Sequence, residues 1–433
     1  MTLKKRIFSL FLVTLLCCSL FTACGKSDDS SDDNSQNRTQ NVNTNETQPN
    51  IQPQTSKPQP VEINIMMIGD MLMHTPVLKS GSLGGDDYDF HHLFKNILPD
   101  IQAADVRIVN QETILGGRNI GISGNFSGGF NSPWELGDAI VDAGFNVVLH
   151  ATNHTLDRSL PAVESSLEFW KTKHPEIAVL GIHSSAEDAK NIYVYEKNGF
   201  KVAILNYTYG TNGIPIPSSA PYCVDTFDDE AKVRDDIRRA HQLADMVVVA
   251  PHWGTEYVYN PSSYQEEWTK VFLEEGVDLV LGTHPHVIEP VEMYERNDGH
   301  QMLVYYSLGN FVSAQDELAR MIGGMAKVTL VKDDGACYIK NYSFEPVVTH
   351  KVYDSTEYTT YKLSDYTDAL AANNAIIRDQ CWCYTYQGNP LMHHPCYCGA
   401  DQVGAPTHSS ANLSVDYVKR FCNAVLGPVY PYN

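Results

Sequence analysis

Histidines follow two apolar segments of the sequence, at the point where each segment ends. The stretch VVVAPHWGTEYV (247–258) places His252 after a run of valines, and DLVLGTHPHVIEP (278–290) places His284 and His286 after a second apolar run. Because proline disfavours a helical conformation in the residue before it, we expect this second stretch to be extended. Residues two apart then lie on the same side, so both imidazoles can face one metal ion.

Polar side chains follow other apolar segments in the same way. Asp70 ends the segment VEINIMMIGD, Glu112 ends VRIVNQE, and Asn153 and His154 end FNVVLHATNH. Two carboxylates, a carboxamide and several imidazoles form a ligand set suited to one or two divalent ions such as Zn, Mn or Fe. The sequence therefore predicts a divalent metal site; the alternative is that these side chains cap and fix loops.

Apolar segments alternate with amphipathic segments from Val61 onward. Helical patterns occupy residues 133–144, 228–245 and 264–276, between the apolar runs. This alternation predicts an α/β domain. Since ligands gather beyond the carboxyl ends of strands in such domains, the polar residues above are expected to converge.

The composition excludes several classes of partner. The chain has 433 residues and a formal net charge of −21, with 43% hydrophobic residues. Nucleic acid is not expected as a partner, because a polyphosphate requires a basic surface. After the N-terminal segment, no apolar run reaches the ~18 residues that span a bilayer.

The N-terminus has the features of an export signal. Residues 1–24 contain Lys4, Lys5 and Arg6, an apolar stretch, and Ala23 before Cys24. We interpret them as a lipoprotein signal peptide, with Cys24 as the lipidated residue; the alternative is an ordinary secretory signal. Residues 25–60 are rich in Ser, Asn, Asp, Gln and Pro and are predicted to be a disordered tether. This organisation predicts a lipid-anchored protein on the extracytoplasmic face of a bacterial cell membrane.

Two regions are predicted after the tether: a domain over 61–350 and a Cys-rich C-terminal extension over 351–433. The extension contains four closely spaced cysteines, Cys381, Cys383, Cys396 and Cys398. Outside the cell, disulfides between the two C-x-C pairs are favoured over a metal site. With Cys24 lipidated, an odd number of cysteines follows it, which predicts at least one free or intermolecular thiol.

Six motifs resemble those of the CapA family of poly-γ-glutamate capsule biosynthesis proteins. They are IGD (68–70), NQE (110–112), TNHTLD (152–157), HWGTEY (252–257), GTHPH (282–286) and YSLGNF (306–311). The family is similar to calcineurin-like metallophosphoesterases. This resemblance implies a four-layer β-sandwich flanked by helices, whereas the strand pattern alone suits a doubly wound sheet equally well.

The resemblance also implies roles for the site residues. Asp70 and His286 would bind a first metal, Glu112 would stand at the bridging position, and Asn153, His252 and His284 would bind a second metal. His154 would stabilise developing charge or protonate the leaving group. The phosphoesterase Asp-x-His pattern is absent, because Met71 and Leu72 follow Asp70. His74 is a candidate replacement ligand; without one, a single metal or a binding-only site is expected.

The resemblance implies action in the biosynthesis, export or anchoring of poly-γ-glutamate or a related anionic polymer, with a membrane synthase or export complex as partner. The compatible reaction is hydrolysis of a phosphoester or amide by metal-activated water. The alternative is a non-catalytic component that binds the polymer or scaffolds the synthase. A secreted nucleotidase is disfavoured because the sequence has no recognisable nucleobase-binding motif.

Overall fold

The computed structural model of the protein describes residues 59–315, 318–375 and 413–427. Its strands are β1 (Val61–Met71), β2 (Ser82–Gly84), β3 (Asp87–Tyr88), β4 (Val106–Asn110), β5 (Val147–Leu149), β6 (Ala178–Leu180), β7 (Tyr193–Lys197), β8 (Phe200–Thr208), β9 (Met246–His252), β10 (Leu279–Leu281), β11 (Val291–Glu295), β12 (Gln301–Tyr305), β13 (Asn310–Val312), β14 (Ile322–Asp333), β15 (Ala336–Lys351) and β16 (Tyr358–Lys362). Its α-helices are α1 (Thr75–Ser80), α2 (Leu98–Gln102), α3 (Trp134–Ala143), α4 (Ser159–Lys173), α5 (Glu230–Leu243), α6 (Ser263–Glu275), α7 (Asp368–Ala372) and α8 (Val415–Leu426).

The strands form two main sheets and a short hairpin. The first sheet has the order β16-β15-β14-β1-β4-β5-β6, with β13 also paired to β1, and the second has the order β11-β12-β10-β9-β8-β7. In the first sheet β1, β4, β5 and β6 run parallel, and in the second β8, β9, β10 and β12 run parallel. The predicted strands therefore belong to two sheets and not to one doubly wound sheet.

A hydrophobic core lies between the sheets, and helices cover their outer faces. Ile65 of β1 and Val248 of β9 belong to the core between the sheets. The next residue of β1, Met66, points to the opposite face and belongs to a cluster with Leu136 of α3. Helices α5 and α6 cover the outer face of the second sheet. These layers make a helix–sheet–sheet–helix sandwich, which confirms the predicted fold class.

The predicted amphipathic helices are observed as α3, α5 and α6. Helix α6 begins at a capping box in which Ser262 and Gln265 each accept a hydrogen bond from the other's backbone N–H. It ends at Gly276. The φ of this residue is 82°, a left-handed conformation that glycine adopts without strain. Strand β9 is buried at every position, which explains why its sequence is continuously apolar instead of alternating.

The fold continues beyond residue 350. Strand β16 pairs with the C-terminal part of β15 in the first sheet. Helix α8 adds Val418 and Phe421 to the core between the sheets, and the Phe421 ring lies 5.7 Å from that of Tyr259. Within the described ranges, no helix combines the length and apolar character required to cross a bilayer.

Three cysteines in the described part of the chain are free thiols: Cys223, Cys337 and Cys422. The disulfides predicted among Cys381, Cys383, Cys396 and Cys398 lie outside the described residues. So do Cys24 and almost all of the predicted tether.

Candidate metal centre

Strand ends from both sheets meet around one buried site. Asp70 lies in β1, Glu112 follows β4, and His252 ends β9. The loop after β5 supplies Asn153 and His154, and the loop after β10 supplies His284 and His286. All seven side chains predicted from the sequence are brought here, and none is more than 3% exposed: Asp70, Glu112, Asn153, His154, His252, His284 and His286.

Glu112 lies at the centre of this arrangement. Its Oε1 is 3.6 Å from His286 Nε2, 3.7 Å from His252 Nε2 and 3.9 Å from His154 Nε2. Neither carboxylate oxygen has a hydrogen-bond partner among the described residues. Burial raises the pKa of Glu112 well above its usual value. Since an unsatisfied buried carboxylate is costly, the geometry favours a cation that these side chains would share.

His252 and His284 are held in their neutral forms. His252 Nε2 lies 2.9 Å from Asn153 Oδ1, and its Nδ1 lies 3.1 Å from Thr283 Oγ1. His284 Nδ1 is buried without a hydrogen-bond partner among the described residues. Burial and the neighbouring imidazoles lower the pKa of both histidines well below 6.5. Neutral imidazole is the form that binds metal.

Asp70 and His286 form the other half of the site. Asp70 Oδ1 accepts a hydrogen bond from Asn110 Nδ2 at 2.7 Å, and its Oδ2 lies 3.2 Å from His286 Nδ1. Burial lowers the pKa of His286, but the negative charges of Glu112 and Asp70 outweigh burial and raise it to about 9. A proton on His286 would balance part of the negative charge of Asp70 and Glu112 in the absence of a metal ion.

The His-Pro-His segment does not have the predicted extended backbone. His284 has a φ of 99° and His286 a φ of 58°, both in the region that side chains other than glycine rarely adopt. The two rings nevertheless lie 5.9 Å apart and both approach Glu112. Their convergence therefore comes from a strained bend after β10, and strain of this kind clusters at functional sites.

A divalent ion fits the donor set. Glu112, His284 and His286 each offer a ligand atom within 4.8 Å of the others. His252 Nε2 and Asn153 Oδ1 add a nitrogen and an oxygen donor, which lie 2.9 Å apart. Both carboxylate oxygens of Glu112 and Nδ1 of His284 have no hydrogen-bond partner among the described residues. They are the atoms to which an ion would bind. Mixed imidazole and oxygen ligands are typical of Zn, Mn and Fe sites.

His74, the candidate replacement ligand, lies at the edge of this site. Its Nδ1 accepts a hydrogen bond from the backbone N–H of Ala314 at 3.3 Å, and its ring packs edge-on against Phe130. Burial and the nearby His286 lower the pKa of His74 to about 4. One ring nitrogen is therefore occupied by the backbone, and ligation by the other stays a prediction.

Asp157 is a site residue that the sequence reasoning missed. Its Oδ2 lies 2.8 Å from His154 Nδ1 and also accepts the backbone N–H of Phe130 at 2.7 Å. The carboxylate orients the imidazole so that Nε2 faces Glu112. The signal was present in TNHTLD, where an aspartate follows the histidine by three residues.

Other missed residues orient the predicted ligands. Asn110 donates to Asp70, and Thr283 contacts His252. Asn310 Oδ1 lies 3.0 Å from His286 Nδ1, and Asn310 is fully buried. Each lies in or directly beside one of the six motifs, so the motif residues flanking the predicted ligands carried this information.

Comparison with known proteins identifies relatives. The family model described as "Bacterial capsule synthesis protein PGA_cap" matches residues 64–315. The capsule biosynthesis protein CapA of Bacillus anthracis is 28% identical over 261 residues, which are 59% of this chain and 60% of that protein. The PGA biosynthesis protein CapA of Bacillus subtilis is 29% identical over 256 residues, 58% of this chain and 64% of that protein. The chain thus matches less than two thirds of the length of either relative.

Solved structures show a more distant likeness. The NAD nucleotidase of Haemophilus influenzae aligns with a TM-score of 0.41 at 12% identity, covering 68% of this chain and 53% of that one. The calcineurin-like phosphoesterase YfkN of Bacillus subtilis aligns with a TM-score of 0.40 at 12% identity, covering 66% and 91%. The family match spans more than half of the chain and confirms the resemblance seen in the six motifs. The chain belongs to the family of bacterial capsule synthesis proteins, PGA_cap.

Proposed function

We propose that the chain is a metal-dependent hydrolase acting in the biosynthesis, export or anchoring of an anionic capsule polymer such as poly-γ-glutamate. The observation that carries the proposal is Glu112, a fully buried carboxylate that has no hydrogen-bond partner in the described part of the chain and lies within 4 Å of three imidazole nitrogens. The names of the Bacillus relatives support the polymer class.

The metal would be held by the residues around Glu112. Asp70, Glu112, Asn153, His252, His284 and His286 are the proposed ligands. A divalent ion in this position supplies Lewis-acid polarisation of the scissile group and lowers the pKa of water. The chain itself supplies the orientation of each ligand, through Asn110 on Asp70 and Thr283 on His252.

His154 is the proposed proton donor to the leaving group. Its Nδ1 is engaged by Asp157, so Nε2 is the atom that faces the site. The Phe130 ring lies 4.7 Å from the His154 ring and shields this side from water. An oriented imidazole beside a buried centre is suited to general acid catalysis of phosphoester or amide cleavage.

The proposal extends to location and partners. The features of residues 1–24 support an extracytoplasmic protein anchored through Cys24, next to a membrane synthase or export complex. Both points stay predictions.

Elemental analysis of the purified protein tests the metal centre. We expect one or two divalent ions per chain in the wild type and a loss of metal in Glu112→Ala, because this change removes the carboxylate shared by three imidazoles. Glu292→Ala, a carboxylate on β11 in the second sheet, is the control and should keep the metal. Wild-type protein without metal above background would contradict the proposal.

A hydrolysis assay on the metal-loaded protein separates catalysis from the alternative, a polymer-binding scaffold with a degenerate site. The observation favouring the scaffold is that Leu72, which is fully buried, stands where phosphoesterases carry a histidine. Metal in the wild type without hydrolysis of a chromogenic aryl phosphoester or a γ-glutamyl anilide would favour the scaffold.

A further inference from the structure

An exposed aromatic ring lies beside the proposed proton donor. The centroid of the Phe126 ring is 6.0 Å from that of His154 and 5.2 Å from that of Phe130. Phe126 is 71% exposed, whereas His154 and Phe130 are buried. A single exposed apolar side chain is common on protein surfaces, so the placement of Phe126 in the site has to carry the argument.

The turn that presents Phe126 is held by its own backbone contacts. Gly124 O accepts a hydrogen bond from the Thr75 backbone N–H at 2.8 Å, and an antiparallel bridge joins Ser123 to Asn131. A Cβ at Gly124 would lie 2.3 Å from Thr75 N, so this close approach requires glycine. The exposure of Phe126 therefore belongs to a turn that is fixed against the rest of the domain.

The same turn is hydrogen-bonded to the segment that carries His154. Asp157 Oδ2, which lies 2.8 Å from His154 Nδ1, accepts the backbone N–H of Phe130 at 2.7 Å. Arg158 Nη1 donates to Gly128 O at 3.0 Å. The residues on either side of the proton donor thus hold both ends of the turn, and this keeps the exposed ring next to His154.

His154 has different neighbours at its Nε2 atom and around its ring. Its Nε2 lies 3.9 Å from Glu112 Oε1, on the side of the proposed metal, whereas its ring packs against the rings of Phe126 and Phe130. A leaving oxygen that receives a proton from Nε2 would lie ~2.8 Å from that nitrogen. The group attached to this oxygen is then within reach of the Phe126 ring.

The size of the exposed surface indicates what covers it. Phe126 is surrounded in sequence by glycine, serine and asparagine, in SGNFSGG (123–129). One ring in such a segment is too small for a protein interface, which buries ~800 Å² on each partner. It matches an apolar group of about the size of a ring, and covering it with such a group is favourable.

We propose that Phe126 forms an apolar subsite for the leaving group, so that the preferred substrate is a phosphoester of an apolar alcohol. This inference rests on the proposed function and names the leaving-group class of its substrate. In the reaction the P–O bond breaks, its electron pair goes to the leaving oxygen, and that oxygen takes the proton from His154 Nε2. Water supplies hydroxide to phosphorus and returns a proton to His154. Phe126 acts by binding alone.

Isothermal titration calorimetry with two phosphonates tests the inference. Benzylphosphonate and methylphosphonate carry the same anionic group on a P–C bond that is not hydrolysed, and they differ by one phenyl ring. Each is titrated into the full metal-containing chain. Metal content and thermal melting of every variant verify that it folds and keeps its site.

We expect the wild type to bind benzylphosphonate about tenfold more tightly than methylphosphonate, which corresponds to ~1.4 kcal/mol. Phe126→Ala should weaken benzylphosphonate binding about tenfold and leave methylphosphonate binding unchanged, because it removes the ring that the phenyl group covers. Phe126→Leu, which stays apolar, should keep a large part of the preference.

Leu83→Ala is the matched control. Leu83 lies in β2 and has the same exposed fraction as Phe126, 71%, so its loss removes a comparable amount of exposed apolar surface. This variant should retain the wild-type preference. An equal loss of preference in Leu83→Ala and Phe126→Ala would overturn the inference.

Three other results would also overturn it. One is equal binding of the two phosphonates by the wild type, or no binding of either. Another is an equal weakening of both phosphonates in Phe126→Ala, which would show that the turn closes over any ligand. The third is a wild-type dimer in light scattering that Phe126→Ala abolishes, since a second copy would then cover the ring.

The outcomes distinguish this inference from the proposed metal centre. Protein that contains metal but binds the two phosphonates equally refutes the inference alone. Protein without metal whose preference for benzylphosphonate still depends on Phe126 refutes the metal centre and leaves the apolar subsite standing.

Discussion

The chemistry of the site depends on how individual charges are compensated. Glu112 has three imidazole nitrogens within 4 Å and hydrogen bonds to none of them. Among the proposed ligands, His286 is the histidine whose pKa is raised, to about 9, while burial lowers the pKa of His252 and His284. A divalent ion would replace the proton on His286 and supply the remaining charge. Metal binding is therefore expected to release protons.

Asp157 is the residue whose replacement tests the proposed catalytic role of His154 most specifically. Asp157→Asn keeps the shape of the side chain but removes the charge that orients His154, so we expect kcat for a chromogenic aryl phosphoester to fall ~100-fold. KM and metal content should change little, because the hydrogen bonds of Asp157 go to His154 and to the backbone of Phe130 and not to the proposed ligands.

A second histidine–aspartate pair provides the control. His183 Nε2 lies 2.6 Å from Asp225 Oδ2, in a pair separate from the proposed ligands. Asp225→Asn should leave kcat unchanged. Equal losses in the two variants would show that Asp157 supports only the fold.

At the scale of elements, the ends of β1 and β10 lie close together because their backbones closely approach the backbone of the turn within YSLGNF. Asp70 N–H donates to Gly309 O at 2.9 Å, and β1 also pairs with β13 through Asp70 and Asn310. A Cβ at Gly69 would lie 2.0 Å from Gly309 O, and a Cβ at Gly282 would lie 2.1 Å from Tyr306 O. The turn within YSLGNF is therefore the surface against which the ends of β1 and β10 are packed.

Gly69→Ala tests this close approach. Because the added methyl group meets a backbone oxygen that cannot move alone, we expect a loss of ~2 kcal/mol in the free energy of unfolding. The shift of Asp70 should also lower the metal content. Gly210→Ala is the control, since a Cβ there meets nothing within 4 Å. Urea unfolding and elemental analysis of both variants measure the two effects; equal stability of the two would contradict the packing argument.

Individual strands and helices could be predicted from the sequence, but their arrangement into sheets could not. Strands β1, β8 and β9 were recognisable as local apolar runs, and helices α5 and α6 were recognisable by the helical period of their apolar residues. The division into two sheets was not recognisable, since parallel strands buried on both faces look alike in either arrangement. The long hairpin of β14 and β15 was missed for a related reason: the outer half of β15 is largely exposed and carries little apolar pattern.

Backbone strain and contacts between residues of different motifs could not be predicted from the sequence either. The strained backbone of His284 and His286 cannot be read from residue types, because proline at 285 favours the extended conformation instead. The stacking of Arg320 on Tyr257 joins residues that are far apart in the sequence, and no local pattern marks it.

At the scale of the whole molecule, the site joins the two halves of the sandwich. Asp70 and Glu112 come from the first sheet, whereas His252 and His284 come from the second. The core between the sheets continues to helix α8, so the sheets form one packed body. An ion bound by ligands from both sheets would stabilise their association, and with it the entire domain.

Removal of metal by a chelator should therefore lower the Tm of the whole domain. Ligand at 100 times its Kd stabilises a folded protein by ~2.7 kcal/mol, so readdition of the divalent ion should raise Tm by several degrees. Asp70→Ala on one sheet and His252→Ala on the other should each abolish most of this increase, whereas Asp225→Asn should keep it. Differential scanning calorimetry measures all four proteins. An increase retained in His252→Ala but lost in Asp70→Ala would place the ion on the first sheet alone, and the centre would then no longer join the two sheets.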